Sequence, residues 1–230
     1  MMIKIDEKFD RFLGGGLQPR NLTHIYGPPA SGKTNLAIIA SVNAMKDGKK
    51  AIYIDTEGGF SIERLRQISK DKEVLENLML MEPMTYVEQR TAIQKLGEMV
   101  PKSNVGLIVL DSIASLYRLE NNKDTKELGR QISSLLRISR KYNIPVVITN
   151  QIYTDINTGR IMFVGGDVIK YWSKVSIELC REGNTRYAVL RKHNFLPEGA
   201  RAEFRIVDKG VEIIRLHSVH KVYKPNRYNY

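Results

Sequence analysis

Gly27-Pro28-Pro29-Ala30-Ser31-Gly32-Lys33-Thr34 decides how this chain is read, because it satisfies the spacing G-x-x-x-x-G-K-[ST]. In that spacing the backbone N–H groups of a turn, and of the first turn of the helix after it, converge on a phosphate. The helix dipole adds to the attraction. Gly27 and Gly32 answer steric demands, one for freedom in φ and one for close approach of a ligand to the backbone. The Lys33 ammonium is expected to reach the β- and γ-phosphates of ATP, and the Thr34 hydroxyl to take one coordination position on Mg²⁺. The whole stretch, with Pro28, Pro29, Ala30 and Ser31, is therefore expected to line a nucleotide.

The flanks agree with this reading. Asn21 to Tyr26 has the composition of a buried strand, and Asn35 to Met45 that of a helix apolar nearly all round, closed by Gly48. Strand, glycine loop and helix is the order that the motif needs. A second strand, Ala51-Ile52-Tyr53-Ile54-Asp55, runs into Thr56-Glu57. Acids at the carboxyl end of such a strand lie where ligands bind in an open α/β sheet, so Glu57 is a candidate general base. The plainer alternative is that Asp55 and Glu57 cap the next helix.

Further along, Ser61 caps a helix carrying Ile62, Leu65 and Ile68, and Leu78 to Met81 makes a short strand. Thr85 with Glu88 forms a capping box for a helix that is expected to stop at Pro101. The unbroken apolar run Val105 to Leu110 ends in Asp111, the pattern of a Walker B strand whose acid holds Mg²⁺ or one of its waters. Ile144 to Thr149 is another strand, ending at Asn150-Gln151, where the Gln151 amide could sense a γ-phosphate. From Val175 onward the helices disappear and short alternating strands are joined by turns at Glu182 to Thr185 and Asp208 to Gly210. The expected fold is α/β, a mostly parallel central sheet flanked by helices with an antiparallel C-terminal extension. A short lead-in (1–20), a core (21–216) and a basic, aromatic tail (217–230) divide the chain.

The formal charge of +11 on 230 residues points to a polyanionic partner. Residues 181–230 hold 11 Lys and Arg against 5 Asp and Glu. Candidate nucleic-acid contacts fall in three places: Arg118, Lys123, Lys126 and Arg130 in and after an exposed excursion, Arg160 and Phe163 in a glycine-rich loop from Asp155 to Gly166, and Lys221 and Lys224 in the tail. A merely solvated surface or a disordered tail is the competing reading for these clusters. Cys180, the single cysteine, is expected as a buried structural thiol in a strand, and His24 as a core histidine. With no signal peptide and no long apolar run, the expectation is a soluble cytoplasmic protein without membrane contact.

Taken together, the stretches Phe12 to Leu17, Gly27 to Thr34, Tyr53 to Gly58, Leu107 to Ser112, Val147 to Gln151 and Leu196-Pro197-Glu198-Gly199 resemble the RecA-type recombinases, most closely their archaeal RadA and RadB branch. They follow the family's order over roughly residues 10 to 215. The resemblance implies a RecA-like P-loop NTPase core that binds ATP and Mg²⁺. It also implies that Glu57 activates the attacking water with Lys33 and Gln151 completing the catalytic set, that Thr34 and Asp111 serve the metal, and that the segments after Asp111 and after Gln151 are DNA-binding loops. It further implies a single-stranded DNA partner and a role in homologous recombination and repair.

The chain departs from RadA in having only about twenty residues ahead of the first strand, without room for a helical DNA-binding domain or an aromatic polymerisation motif. Its Pro28-Pro29 and short second loop also differ. These features resemble the truncated RadB paralogues: an accessory with weak DNA-dependent ATPase activity and little strand exchange, modulating a RadA-type recombinase, oligomeric at most without a RadA-style filament. The alternative is a KaiC-like or other RecA-superfamily ATPase acting on proteins. A nucleotide kinase is disfavoured because no Arg-rich lid follows the Asp111 strand.

Overall fold

Leu22–Gly27 forms β1, a strand buried along its whole length, and everything else is arranged around it. The computed structural model describes residues 1–154, 161–183 and 185–217. Ahead of β1 lies α1 (Glu7–Phe12), capped by the Asp6 carboxylate accepting from the Lys8 and Phe9 N–H groups. After it come α2 (Lys33–Lys46), β2 (Lys50–Asp55), α3 (Ile62–Ile68), α4 (Lys72–Leu75), β3 (Leu78–Met81), α5 (Tyr86–Lys102) and β4 (Val105–Asp111). The chain continues through α6 (Ser115–Leu119), α7 (Thr125–Tyr142), β5 (Val146–Thr154), β6 (Ile161–Phe163) and α8 (Asp167–Trp172). It ends in β7 (Val175–Glu182), β8 (Thr185–Lys192), β9 (Arg201–Val207) and β10 (Gly210–His217).

One 10-stranded sheet runs in the order β10-β9-β8-β7-β1-β5-β4-β2-β3, with β6 attached to β5. The pairings from β7 through β1, β5, β4 and β2 to β3 are parallel, and those from β7 through β8 and β9 to β10 are antiparallel. This is the expected parallel core with an antiparallel extension. The two faces bury separate apolar clusters. On one, α2 and α3 cover the sheet with Leu36, Ile39 and Leu65, and the lead-in residues Ile3, Phe9, Leu13 and Leu17 join the same cluster. On the other, α5, α7 and α8 contribute Leu96, Ile132, Leu135 and Ile169. The connection β1-α2-β2 therefore crosses one face, whereas β3-α5-β4 and β4-α7-β5 cross the opposite one. A crevice opens at the carboxyl ends of the strands between them.

Several elements differ from the sequence expectation. The helix α5 runs to Lys102 with Pro101 inside it, rather than stopping at Pro101. Pro101 lacks the N–H that would bond Gly97, and the Gly97 carbonyl instead accepts from the Tyr142 hydroxyl at 3.5 Å. The excursion after Asp111 is not wholly exposed, since α6 buries Leu116 and Tyr117. Strand β5 continues past Gln151 to Thr154, and the segment expected as an aperiodic loop returns in part as β6, paired antiparallel through Ile152↔Phe163. Cys180 is partly rather than fully buried, and desolvation raises its thiol pKa. Among the described residues no helix is long and apolar enough to cross a membrane.

Candidate nucleotide site

The loop between β1 and α2 is shaped by sterics. A Cβ at Gly27 would lie 2.3 Å from the Leu179 carbonyl oxygen and 3.0 Å from Ser31 Oγ, so only glycine fits between the loop and β7. Gly32, the residue before α2, has φ +108°, in the left-handed region that glycine occupies without strain. The Lys33 ammonium donates to the Gly27 and Pro28 carbonyl oxygens at 3.0 and 2.9 Å, bending over the loop. Burial lowers its pKa from the ordinary range, while the charges of Glu57 and Asp111 pull the other way. Ser31 Oγ is completely buried and has no partner among the described residues. An unsatisfied donor beside a helix N-terminus, within a loop that closes on a lysine, suits an anionic oxygen.

Asp111 stands at the end of β4, opposite Asp55 in the β2 register. Its carboxylate accepts from the Tyr53 hydroxyl at 2.6 Å and from the Thr149 hydroxyl. The Thr34 hydroxyl bonds to it as well. Desolvation raises its pKa above the ordinary carboxylate range, against the lowering effect of those hydroxyls. Thr34 and Asp111 are thus brought together, with one carboxylate held rigidly by hydroxyl donors at the mouth of the loop. That donor set, hard oxygens from Thr and Asp, is of the kind that Mg²⁺ takes.

Glu57 lies just beyond β2, and both its oxygens are engaged. One accepts from Ser112 Oγ at 2.6 Å and the other from the Gln151 amide at 2.8 Å. Thr56 locks this arrangement: its hydroxyl donates to the Ser112 carbonyl at 2.7 Å and accepts from the Ser112 N–H at 2.8 Å. Asp55, by contrast, takes the capping role, accepting from the Glu57 and Phe60 N–H groups. Of the two acids, it is Asp55 that accepts from the backbone, while Glu57 bonds to side chains of β5 and of the residue after β4. Glu57, Ser112, Gln151, Asn150, Leu116 and Arg118 line a cavity of 260 Å³ to which no residue of the phosphate loop contributes.

The structure gathers Lys33, Thr34, Glu57, Asp111 and Gln151 at one end of the sheet. Ser112, Thr56, Tyr53 and Thr149, which the sequence reading did not single out, complete that set. The basic residues are more dispersed. Arg118 borders the Glu57 cavity, Lys123 lies exposed between α6 and α7, and Lys126 and Arg130 lie on α7. Phe163 is in β6 by its backbone, whereas Arg160, Lys221 and Lys224 lie outside the described residues.

Comparison with known proteins gives a consistent answer. The Rad51 family pattern matches residues 2–214. A "DNA repair and recombination protein RadB" of Methanobrevibacter smithii is 40% identical over 221 residues, covering 91% of this chain and 94% of that protein. A protein of the same description from Methanococcus maripaludis strain C7 is 42% identical over 214 residues, covering 89% and 97%. A solved structure described as that of the RadB recombinase superposes with a TM-score of 0.80 at 40% identity, covering 93% of this chain and 100% of the other.

Proposed function

The chain belongs to the Rad51 family, and from that premise we propose that it is a RadB-like recombination and repair accessory that binds ATP with Mg²⁺ and single-stranded DNA, hydrolyses ATP slowly, and modulates a RadA-type recombinase. The observation that carries the reading is the clamp on Glu57. A carboxylate held at both oxygens, by Ser112 next to Asp111 and by Gln151 on β5, joins the ends of β2, β4 and β5, and the segments after β4 and β5 are the proposed DNA contacts.

In this reading the N–H groups at the start of α2, with Lys33 and Ser31, hold the phosphates, and Thr34 and Asp111 hold the metal. Bound Mg²⁺·ATP would supply the electrophilic phosphorus and the charge screening that phosphoryl transfer needs. Glu57 would accept the proton of an attacking water on a carboxylate lone pair that its two hydrogen bonds leave open. The Gln151 amide has two N–H donors and gives one to Glu57, so the second can reach a γ-phosphate oxygen and tie β5 to the nucleotide state. The Rad51 family assignment and the RadB descriptions of its relatives support recombination as the setting. No feature of the site favours the protein-directed ATPase.

The test is fluorescence anisotropy of labelled oligothymidylate across a salt series, with and without Mg²⁺·ATP. Binding that weakens linearly on logarithmic axes, and that nucleotide alters, is expected. Absence of binding at low salt would sink the DNA reading.

A further inference from the structure

The helix α7 presents Lys126, Arg130, Arg137 and Lys141, exposed, at steps of four, seven and four residues. Those steps keep all of them on one stripe of the helix, about 22 Å long at about 1.5 Å per residue. The stripe borders a groove of 830 Å³ between α5, α7 and α8, into which Arg90 and Trp172 also project. A second hollow of 400 Å³ adjoins it, sharing Arg137 and Trp172 and lined by Lys141. The acid on the wall of the larger groove, Glu127, is paired with Arg130 at 3.2 Å. The remaining cations face a groove without a neutralising carboxylate along its lining.

Topology gives the groove a direction. Lys126 and Arg130 lie near the start of α7, the helix that leaves the carboxyl end of β4 by way of α6. Arg137 and Lys141 lie near its end, next to the start of β5. Trp172, half-buried at the end of α8 and edge-on to the exposed Tyr171 at 5.5 Å, stands midway on the opposite wall. Cations at intervals of roughly 6 to 10 Å along one edge, facing an aromatic wall, suit a strand with phosphates on one side and unpaired bases on the other.

We infer that this groove is a track for single-stranded DNA. A strand reaching the carboxyl end of the sheet continues down α7, its phosphates on Lys126, Arg130, Arg137 and Lys141 and a base against Trp172. The inference rests on the DNA-binding reading above and assigns that binding a surface outside the loops that follow β4 and β5.

Trp172 is the only tryptophan of the chain, so its intrinsic emission reports on this groove alone. The full chain is titrated with labelled oligothymidylate while anisotropy and tryptophan emission are read together. Emission that changes in step with anisotropy is expected. An Arg137→Ala, Lys141→Ala double variant is expected to bind more weakly, with a salt slope shallower by about 1.4, that is about 0.7 for each phosphate no longer neutralised. Saturating anisotropy with unmoved tryptophan emission, or an unchanged slope in the variant, overturns the track but leaves DNA binding standing. No anisotropy change at low salt sinks the DNA reading itself. A duplex of equal length that moves the emission as strongly overturns the single-strand assignment. Polyglutamate that moves the emission where DNA does not overturns it in favour of an acidic protein partner.

Discussion

The side-chain amide of Gln151 donates to the Glu57 carboxylate across 2.8 Å, linking a residue on β5 to one just past β2 through side chains alone. If Glu57 is the base for hydrolysis, Glu57→Gln removes the proton acceptor and keeps the size of the side chain. Turnover should fall by roughly a hundredfold or more, in the range of lost general-base catalysis. Binding of a fluorescent ATP analogue should be retained. Equal turnover in the variant would remove Glu57 from the mechanism.

Gln151→Ala tests the link itself. Without the amide, Glu57 keeps its bond from Ser112 but loses its own link to β5, and among the described side chains only the Thr149–Asp111 bond still joins β5 to the proposed metal site. Basal ATP turnover should fall as well, because Gln151 belongs to the proposed catalytic set, so the readout is the ratio of DNA-stimulated to basal turnover. The stimulation by single-stranded DNA should vanish. A variant that DNA still stimulates to the wild-type extent would show that coupling takes another route.

Much of this site was legible in the sequence because it depends on local order. The run Gly27 to Thr34, the apolar strand ending at Asp111 and the capping box at Thr85 and Glu88 each carry their structural reason within a few residues, and the capping box is present with both bonds formed. The parallel core followed so directly from the strand-helix alternation that the sheet order added only the position of β1 and β5 at its centre. What stayed hidden depends on register between distant strands. Tyr53 and Thr149 meet at Asp111 because β4 lies between β2 and β5, which no local pattern records. Ser112 is an ordinary residue until Glu57 is placed opposite it. Pro101 misled for a different reason: it stands one residue from the end of α5, where a single helical bond is lost, and the Gly97 carbonyl left free lies within reach of the Tyr142 hydroxyl, 41 positions on from the proline.

Arg64 offers a stability test at a distance from the chemistry. On α3, its guanidinium donates to Asn35 Oδ1 at 2.8 Å and to the carbonyls of Val207, Asp208 and Gly210 at 2.8, 3.0 and 3.0 Å. It thereby fastens the β9–β10 turn to the helix that follows the phosphate loop. Charge-assisted bonds to carbonyls are worth more than neutral ones, but this side chain is partly exposed, so Arg64→Ala should cost about 2 kcal/mol. Urea denaturation measures it. An unfolding free energy lowered by less than a tenth of that cost would mean the turn holds without the arginine.

His24 sets a pH dependence of stability. Buried completely inside β1, its imidazole has its pKa pushed down to about 3 by desolvation. The unfolded chain protonates it near 6.5 and the folded chain does not, so its contribution is fully present above about 6.5 and is lost as pH falls towards 3. Each pH unit in that window costs about 1.4 kcal/mol, so unfolding free energy should drop by about 2 kcal/mol between pH 6.5 and pH 5 from this residue alone. In His24→Gln that part of the slope should be missing, whatever the variant's absolute stability. Identical slopes for the two proteins would mean that the histidine is protonated in the fold.

The chain beyond β10 carries Lys221, Lys224 and Arg227 without an acid, with Tyr223 between them and Tyr228 and Tyr230 after them. Such a segment either follows a DNA backbone or keeps the protein soluble, and the two roles differ in their response to salt. Each phosphate of single-stranded DNA that a cation neutralises steepens the slope of log affinity against log salt by about 0.7, so a chain ending at His217 should bind with a slope shallower by about 2. A solvating tail acts only through the overall charge, which salt screens beyond about 10 Å at 0.1 M. Its removal would lower affinity slightly at low salt and leave the slope in place. The readouts also separate the tail from the α7 groove: truncation should leave the Trp172 emission change intact at saturation, whereas a tail that delivers the strand to the groove would take that change away with it.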